Sequence, residues 1–282
     1  MPSQPISSAL SEKYDRLKAL LQDLGRVLVA FSGGVDSTFL LKVAFDELGE
    51  NVLAVIATSE TYPEKEIQEA TLLAESMNVR YRIIQSCEME NPDFVANPPD
   101  RCYHCKMELF SRMQVIADSE NIPYVLDGAN FEDTGDYRPG SRAAEELKVR
   151  SPLKETGFVK DEIRELSRHL GLPTWNKPAM ACLSSRFPYY TRIHSEALGQ
   201  IAQAEEFLRS LGLSQLRVRH HETIARIEVP PEDIARLMDP QLREAIVRRL
   251  KQLGYAYVTL DLAGYRTGSL NEILSEDQKK GS

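Results

Sequence analysis

The chain has 282 residues, 42% hydrophobic and 27% charged, with 34 basic against 42 acidic side chains and a net charge of −8. These are the proportions of a soluble globular protein of one large or two medium domains, and the acidic balance argues against a nucleic-acid field over the whole surface, leaving room for local basic patches. No apolar run reaches membrane-span length, residues 1–10 lack the basic and apolar regions of a leader, and four cysteines point to thiol, metal or catalytic use rather than a disulfide framework; a cytoplasmic location is the expectation.

In chain order, residues 8–24 read as an amphipathic helix and 27–31 as an apolar strand. The strand breaks into Ser32, Gly33, Gly34, Val35, Asp36, Ser37 and Thr38, and a helical run continues to residue 48. Strands are predicted at 52–57, 81–84 and 124–126, with helices at 63–77, opened by a proline, and 103–119. A further helix at 158–170 stops at Gly171, Leu172 and Pro173, and residues 174–192 read as a functional loop and linker. Strands alternating with helices predict an α/β fold with a doubly wound parallel sheet and ligand at the strand C-terminal ends. From about residue 190 the pattern changes: helix 195–211, strands 216–220 and 224–229, helix 232–253 and strand 255–262. That order predicts a smaller α+β domain with a hairpin, so the expected domains are 1–190 and 191–282, the last dozen residues frayed.

The segment 32–38 carries the strongest signal. Glycines 33 and 34 let the backbone turn sharply and approach a ligand. A strand-turn-helix then aims backbone N–H groups and a helix N-terminus at one point, which suits an anion, and Ser32, Ser37 and Thr38 add hydroxyls. The segment lacks the Gly-Lys-Ser/Thr ending of a P-loop and the spacing of a dinucleotide fingerprint. It resembles the pyrophosphate loop (PP-loop) of ATP pyrophosphatases, the adenine nucleotide alpha hydrolase-like superfamily. The resemblance implies that the loop holds the β- and γ-phosphates of ATP while the α-phosphate passes to an acceptor.

The cysteines form a second constellation. Cys102 and Cys105 make a C-x-x-C at a helix start, Cys182 lies in the irregular segment 178–186 (PAMACLSSR), and Cys87 follows a strand with no motif around it. Spacing alone leaves three readings open: an iron–sulfur site with three thiolates and one open iron, a zinc site completed by Cys87 or His104, or unliganded thiols.

Further stretches carry a closer resemblance. Residues 30–38 (AFSGGVDST), 125–128 (VLDG), 136–140 (DYRPG), 175–177 (WNK), 184–189 (SSRFPY), 217–219 (RVR), 224–228 (IARIE) and 257–261 (YVTLD) together resemble the LarE family of ATP-dependent sulfur transferases. Nearly the whole chain is covered. The resemblance implies that a carboxylate of a pyridinium mononucleotide is adenylated and converted to a thiocarboxylate, in biosynthesis of the nickel-pincer nucleotide of lactate racemase. One branch sacrifices a single cysteine; here that position falls near Ala181, with the thiol shifted to Cys182. The presence of Cys102 and Cys105 beside Lys106 matches the branch in which three cysteines hold a 4Fe-4S cluster whose open iron carries sulfide. The cofactors implied are ATP, Mg²⁺ and that cluster; the partners are the pyridinium dicarboxylate mononucleotide, sulfide or a sulfur donor, and further copies of the chain in an oligomer.

Individual roles follow, each beside its plainer alternative. Ser32, Gly33, Gly34, Asp36, Ser37 and Thr38 are expected around the leaving pyrophosphate. Asp36 would orient Mg²⁺, or else simply be a first-turn helix carboxylate. Lys106 would neutralise phosphate or substrate carboxylate, or be a surface lysine. Arg217 and Arg219 share one face of a strand and suit bidentate phosphate binding, or a solvated face. Arg186 is a further phosphate candidate. The family resemblance suggests Glu205 and Glu228 in a metal site at a subunit interface, with salt bridging as the equal alternative. His220 and His221 point to opposite faces, and His194 reads as a helix-start residue. The competing functions are a tRNA-thiolating or ammonia-dependent PP-loop enzyme, and a nucleotide sensor stiffened by zinc.

Overall fold

In a parallel strand covered on both faces, every side chain meets a core, so the sequence runs apolar without alternation. Val27, Leu28 and Val29 do this: the two valines join a cluster with the helices on one face of the sheet, and Leu28 joins a separate cluster on the other. The structure, a computed structural model, describes residues 6–134, 139–178 and 181–275. The described residues form two compact units, one of 6–88 and 102–178, the other of 89–101 and 181–275. Residues 89–101 and 181–190, read from sequence with the first domain, therefore pack with the second unit.

In chain order the first unit carries α1 (Ser8–Leu24), β1 (Val27–Ala30), α2 (Val35–Leu48), β2 (Val52–Thr58), α3 (Glu64–Ser76) and β3 (Arg80–Gln85). The short helix α4 (Pro92–Val95) lies in the second unit. The first then resumes with α5 (Arg101–Ser119), β4 (Tyr124–Leu126), α6 (Gly140–Glu146), α7 (Pro152–Glu155) and α8 (Lys160–His169). Its sheet is parallel with strand order β3-β2-β1-β4. Leaving β1, the chain first builds outward through β2 and β3 and then returns to add β4 on the other side. The C-terminal ends of β1 and β4 thus flank a topological switch point, where such sheets open a crevice for ligand. The loop 31–34 leaves β1 there, and Asp127 and Gly128 leave β4 beside it.

The second unit follows with α9 (Ser195–Ser210), β5 (Arg217–His221), β6 (Ile224–Glu228), α10 (Pro231–Leu237), α11 (Pro240–Gln252) and β7 (Tyr257–Leu260). The pair β5–β6 is the antiparallel hairpin expected from sequence, and β7 adds parallel to β6. Leu208, Val218, Ile227 and Leu250 belong to its core. The single helix expected at 232–253 is two. Pro240 has no N–H to continue the α10 ladder and disfavours helical geometry at Asp239, whose side chain accepts from Leu242 N at 2.9 Å and starts α11. Two other starts lie earlier than expected: α2 takes Asp36 and Ser37 into its first turn, and α5 takes in Arg101 and Cys102. Residues 135–138, which include Asp136, Tyr137 and Arg138 of the DYRPG stretch, Ala179 and Met180, and residues 276–282 of the polar tail lie outside the described residues.

Candidate active site

The turn after β1 is built on one constrained residue. Gly33 has φ +66°, and a Cβ there would lie 2.9 Å from Ala70 Cβ on α3, so only glycine lets the loop lie against that helix. Gly34 is the extended N-cap of α2 and offers no side chain to its N–H groups. Ser32 and Ser37 face each other with hydroxyls 3.1 Å apart, and Gly34 N donates to Ser32 Oγ at 3.4 Å. From the other side of the switch point Gly128 closes in: a Cβ on it would stand 3.0 Å from Ser37 N.

These elements open onto a cavity of about 600 Å³ within the first unit. Its size is that of a small-molecule site. Ser32, Gly34, Asp36 and Ser37 line it beside an apolar surface that includes Val55, Ala57, Leu109 and Met113. Polar groups come from Glu66, Asp127, Ser151 and Lys154, and Cys102 and Lys106 of α5 complete the wall. Thr38, expected on a phosphate, is not among the lining residues; it is wholly buried in α2 and its hydroxyl has no hydrogen-bond partner.

Asp36 has two unlike oxygens. Oδ2 accepts from Lys160 Nζ at 2.6 Å, whereas Oδ1 is buried with no partner. An orphaned carboxylate oxygen beside a phosphate-type loop fits the oxygen-ligand chemistry of Mg²⁺. A second lysine reaches the loop from further along the chain. Lys177 Nζ donates to Gly33 O at 3.3 Å and pairs with Glu66 at 2.7 Å and Glu69 at 2.9 Å. Burial alone would lower its pKa, but Glu66 and Glu69 outweigh it and hold the ammonium above the ordinary lysine value.

On α5, Cys102 is exposed and lines the cavity, while Cys105 is half-buried with its sulfur 4.0 Å from the Tyr62 hydroxyl. The loop carrying Tyr62 is pinned by the buried Glu88, whose Oε1 accepts from Ser59 at 2.5 Å and Thr61 at 2.7 Å. Lys106 lies over the Phe110 ring, 4.7 Å from its centroid. Cys87 is half-buried and its backbone N–H donates to Glu108 at 3.0 Å. Cys182 belongs to the second unit, and among the described residues no three His, Cys, Asp or Glu side chains form a ready metal group. Two thiols one helical turn apart are nonetheless a suitable donor pair for iron or zinc.

The second unit turns its arginines inward, which corrects two expectations. Arg186 is fully buried and grips Glu205 through Nε at 2.7 Å and Nη2 at 2.9 Å, while Nη1 donates to the carbonyls of Ala181 and Cys182. It therefore braces the segment that carries Cys182 rather than offering a free fork to phosphate. Arg219 is likewise engaged by Glu228, at 2.9 and 2.8 Å, with further donation to Ser185 O and Ser269. Arg217 is buried over the Tyr265 ring, 5.1 Å from its centroid, and donates to Leu216 O; burial first, then the neighbouring Arg186, lowers its pKa. Neither Arg217 nor Arg219 lies on the solvated face considered from sequence. Of the two carboxylates suggested as metal ligands by the family resemblance, Glu205 accepts from Arg186 and Arg209, and Glu228 accepts from Arg219. His194 caps α9, its Nδ1 accepting from Ala197 N at 3.3 Å. His220 is buried beside Phe187 and His194 with Nδ1 3.2 Å from the Tyr255 hydroxyl, whereas His221 meets Arg226.

Sequence reasoning missed Lys154, Lys160, Lys177 and Tyr62 as site residues. Lys160 lies 124 positions from Asp36 and Lys177 lies 144 from Gly33, so no local spacing could link them.

Comparison with known proteins adds the following. The sequence model of the NAD synthase family matches residues 10–92. An uncharacterised protein of Synechocystis sp. is 44% identical over 95% of this chain and 100% of its own length. The pyridinium-3,5-bisthiocarboxylic acid mononucleotide synthase of Lactiplantibacillus plantarum is 42% identical over 96% of this chain and 98% of its own. An uncharacterised protein of Methanocaldococcus jannaschii is 30% identical over 93% of this chain and 96% of its own.

Proposed function

This chain belongs to the LarE family of PP-loop, ATP-dependent sulfur transferases, and from that premise we propose that it converts carboxylates of a pyridinium dicarboxylate mononucleotide to thiocarboxylates for a nickel-pincer nucleotide. The observation that carries the reading is that Cys102 lines the same cavity as Ser32, Gly34 and Ser37 of the pyrophosphate loop. A sulfur-bearing residue and a nucleotide loop in one cavity are what an adenylate-to-sulfur exchange requires.

A carboxylate is a poor electrophile, so activation comes first: a substrate carboxylate oxygen attacks the α-phosphorus of ATP, and pyrophosphate leaves. In this reading the turn at residues 32–37 and the N-terminus of α2 hold the leaving group, with Asp36 Oδ1 supplying an oxygen ligand for Mg²⁺. Lys106 and Lys154, both on the cavity wall, face the negative charge of phosphate and carboxylate. Sulfide then attacks the acyl carbon, the bond to AMP breaks, and a thiocarboxylate remains; sulfur is nucleophilic where water is slow. Cys102 and Cys105, together with Cys182, would hold a 4Fe-4S cluster that supplies sulfide in place of a protein cysteine's own sulfur. Arg186, by holding the Ala181 and Cys182 carbonyls, fixes the backbone from which that third thiolate projects. The proposal is of a cytoplasmic homo-oligomer; no helix among the described residues is long and apolar enough to cross a membrane, and Cys87, Cys102, Cys105 and Cys182 form no disulfide with one another.

The test is made on protein purified and reconstituted without oxygen, given ATP, Mg²⁺, sulfide and the dicarboxylate mononucleotide. AMP, pyrophosphate and thiocarboxylate should appear together, with about four iron and four sulfide per chain. Cys102→Ala should lose the cluster and the sulfur transfer yet bind ATP as before. Unchanged thiocarboxylate formation in that variant would sink the cluster reading, and an amide formed from added ammonia would favour an ammonia-dependent synthetase instead.

A further inference from the structure

We propose that Lys177 is a positioning residue for the pyrophosphate loop, holding the Gly33 carbonyl outward so that the adjoining N–H faces the β- and γ-phosphates. The inference rests on the reading of residues 32–38 as an ATP loop and adds a residue that the loop's own sequence does not contain.

An ammonium has three N–H donors. Those of Lys177 have three acceptors: Glu66 at 2.7 Å, Glu69 at 2.9 Å and Gly33 O at 3.3 Å. The backbone behind it is fixed as well, because Arg164 of α8 donates to the carbonyls of Trp175 and Lys177, each at 3.1 Å. One continuous set of bonds therefore runs from α8 through Lys177 to α3 and the loop. Glu66 and Glu69 both belong to α3, the helix on which Gly33 rests through Ala70.

The consequence for phosphate follows from peptide geometry. In a planar trans peptide, the carbonyl and the following N–H point in opposite directions. A cation drawing Gly33 O toward α3 directs the Gly34 N–H to the opposite side. There it meets Ser32 Oγ, and both Ser32 and Gly34 line the cavity. Glycine at 33 gives the turn its left-handed φ but also leaves that peptide free to flip; Lys177 removes the freedom. It also cancels one of two carboxylate charges, of which Glu66 borders the cavity, so that phosphate meets less repulsion.

The test compares Lys177→Met with the wild-type protein in calorimetric titrations. The ligands are a non-hydrolysable ATP analogue with Mg²⁺ and, separately, AMP, which lacks the β- and γ-phosphates. Affinity for the analogue should fall at least tenfold while AMP affinity stays within twofold, a discrimination that general loosening of the fold would not produce. Lys177→Arg, which keeps charge and donors, should recover most of the loss and serves if the methionine variant folds poorly. The triple variant Lys177→Met/Glu66→Gln/Glu69→Gln removes the charge imbalance without restoring the carbonyl's partner, and it should remain weak. Wild-type affinity for the analogue in the single variant, or in the triple, would overturn the positioning role. A wild-type protein that binds no ATP analogue would overturn the ATP reading itself, which is a different result.

Discussion

Two regions offer phosphate-type groups, and the fold treats them in opposite ways. Around the loop of the first unit, polar atoms are left waiting: Asp36 Oδ1 is buried without a partner, and the N-cap of α2 has no side chain to satisfy it. In the second unit Arg186 and Arg219 are each doubly bonded to a buried carboxylate and then bonded again to backbone. A buried polar group with its partners in place holds structure, whereas one without them is a cost to stability that a ligand can remove. The orphaned Asp36 oxygen thus makes the loop the candidate for a ligand, and the arginine–glutamate pairs brace the segment bearing Cys182.

The comparison is broken most directly at Arg186. Arg186→Met removes two of the donors to Glu205 and leaves its buried charge to Arg209 and the Val218 N–H, so a loss at the lower end of the roughly 3–5 kcal/mol typical of a broken buried pair is expected. A urea melt should show that loss, while the folded variant binds an ATP analogue normally. Weaker nucleotide binding with unchanged stability would instead make Arg186 a phosphate ligand and erase the distinction. Next in size is Gly33→Ala. The positive φ and the 2.9 Å approach to Ala70 force the loop to move, and pyrophosphate release should fall roughly 100-fold, about 2.7 kcal/mol of barrier, with the thermal midpoint shifting only a few degrees.

The smallest effect sharpens the second unit's character. Burial, with His194 and His221 acting in the same direction, lowers the His220 pKa from 6.5 to about 4. The unfolded chain therefore takes the proton first. Stability from this group is complete above pH 6.5 and declines as pH falls toward 4, where the folded protein is protonated too. Unfolding free energies from urea melts at pH 7 and pH 5 should differ by on the order of 1 kcal/mol more in the wild type than in His220→Gln; equal differences would show that His220 is not buried neutral.

Much of this was readable from local pattern. The strand-turn-helix around residue 33, the alternation of strands and helices, the hairpin at β5–β6 and the cap at His194 each depend on residues within a few positions of one another. The single helix expected at 232–253 failed on a local signal too, since Asp239 and Pro240 together spell an N-cap and a first helical residue. Arg217 and Arg219 were placed correctly on one strand, but strand periodicity cannot tell a solvated face from one packed under other elements, and both are buried.

The sequence by itself determined the nucleotide loop, the α/β class and the family, because glycine conformation, hydrophobic period and a chain-long set of motifs are properties of neighbouring residues. Tertiary structure alone decided which charges would be spent and which left available. Lys160 meets Asp36, Lys177 meets Gly33, and Arg186 meets Glu205 only after helices and strands have packed. An ion pair is set by distance in space, and a separation of 124 positions between Lys160 and Asp36 carries no record of it.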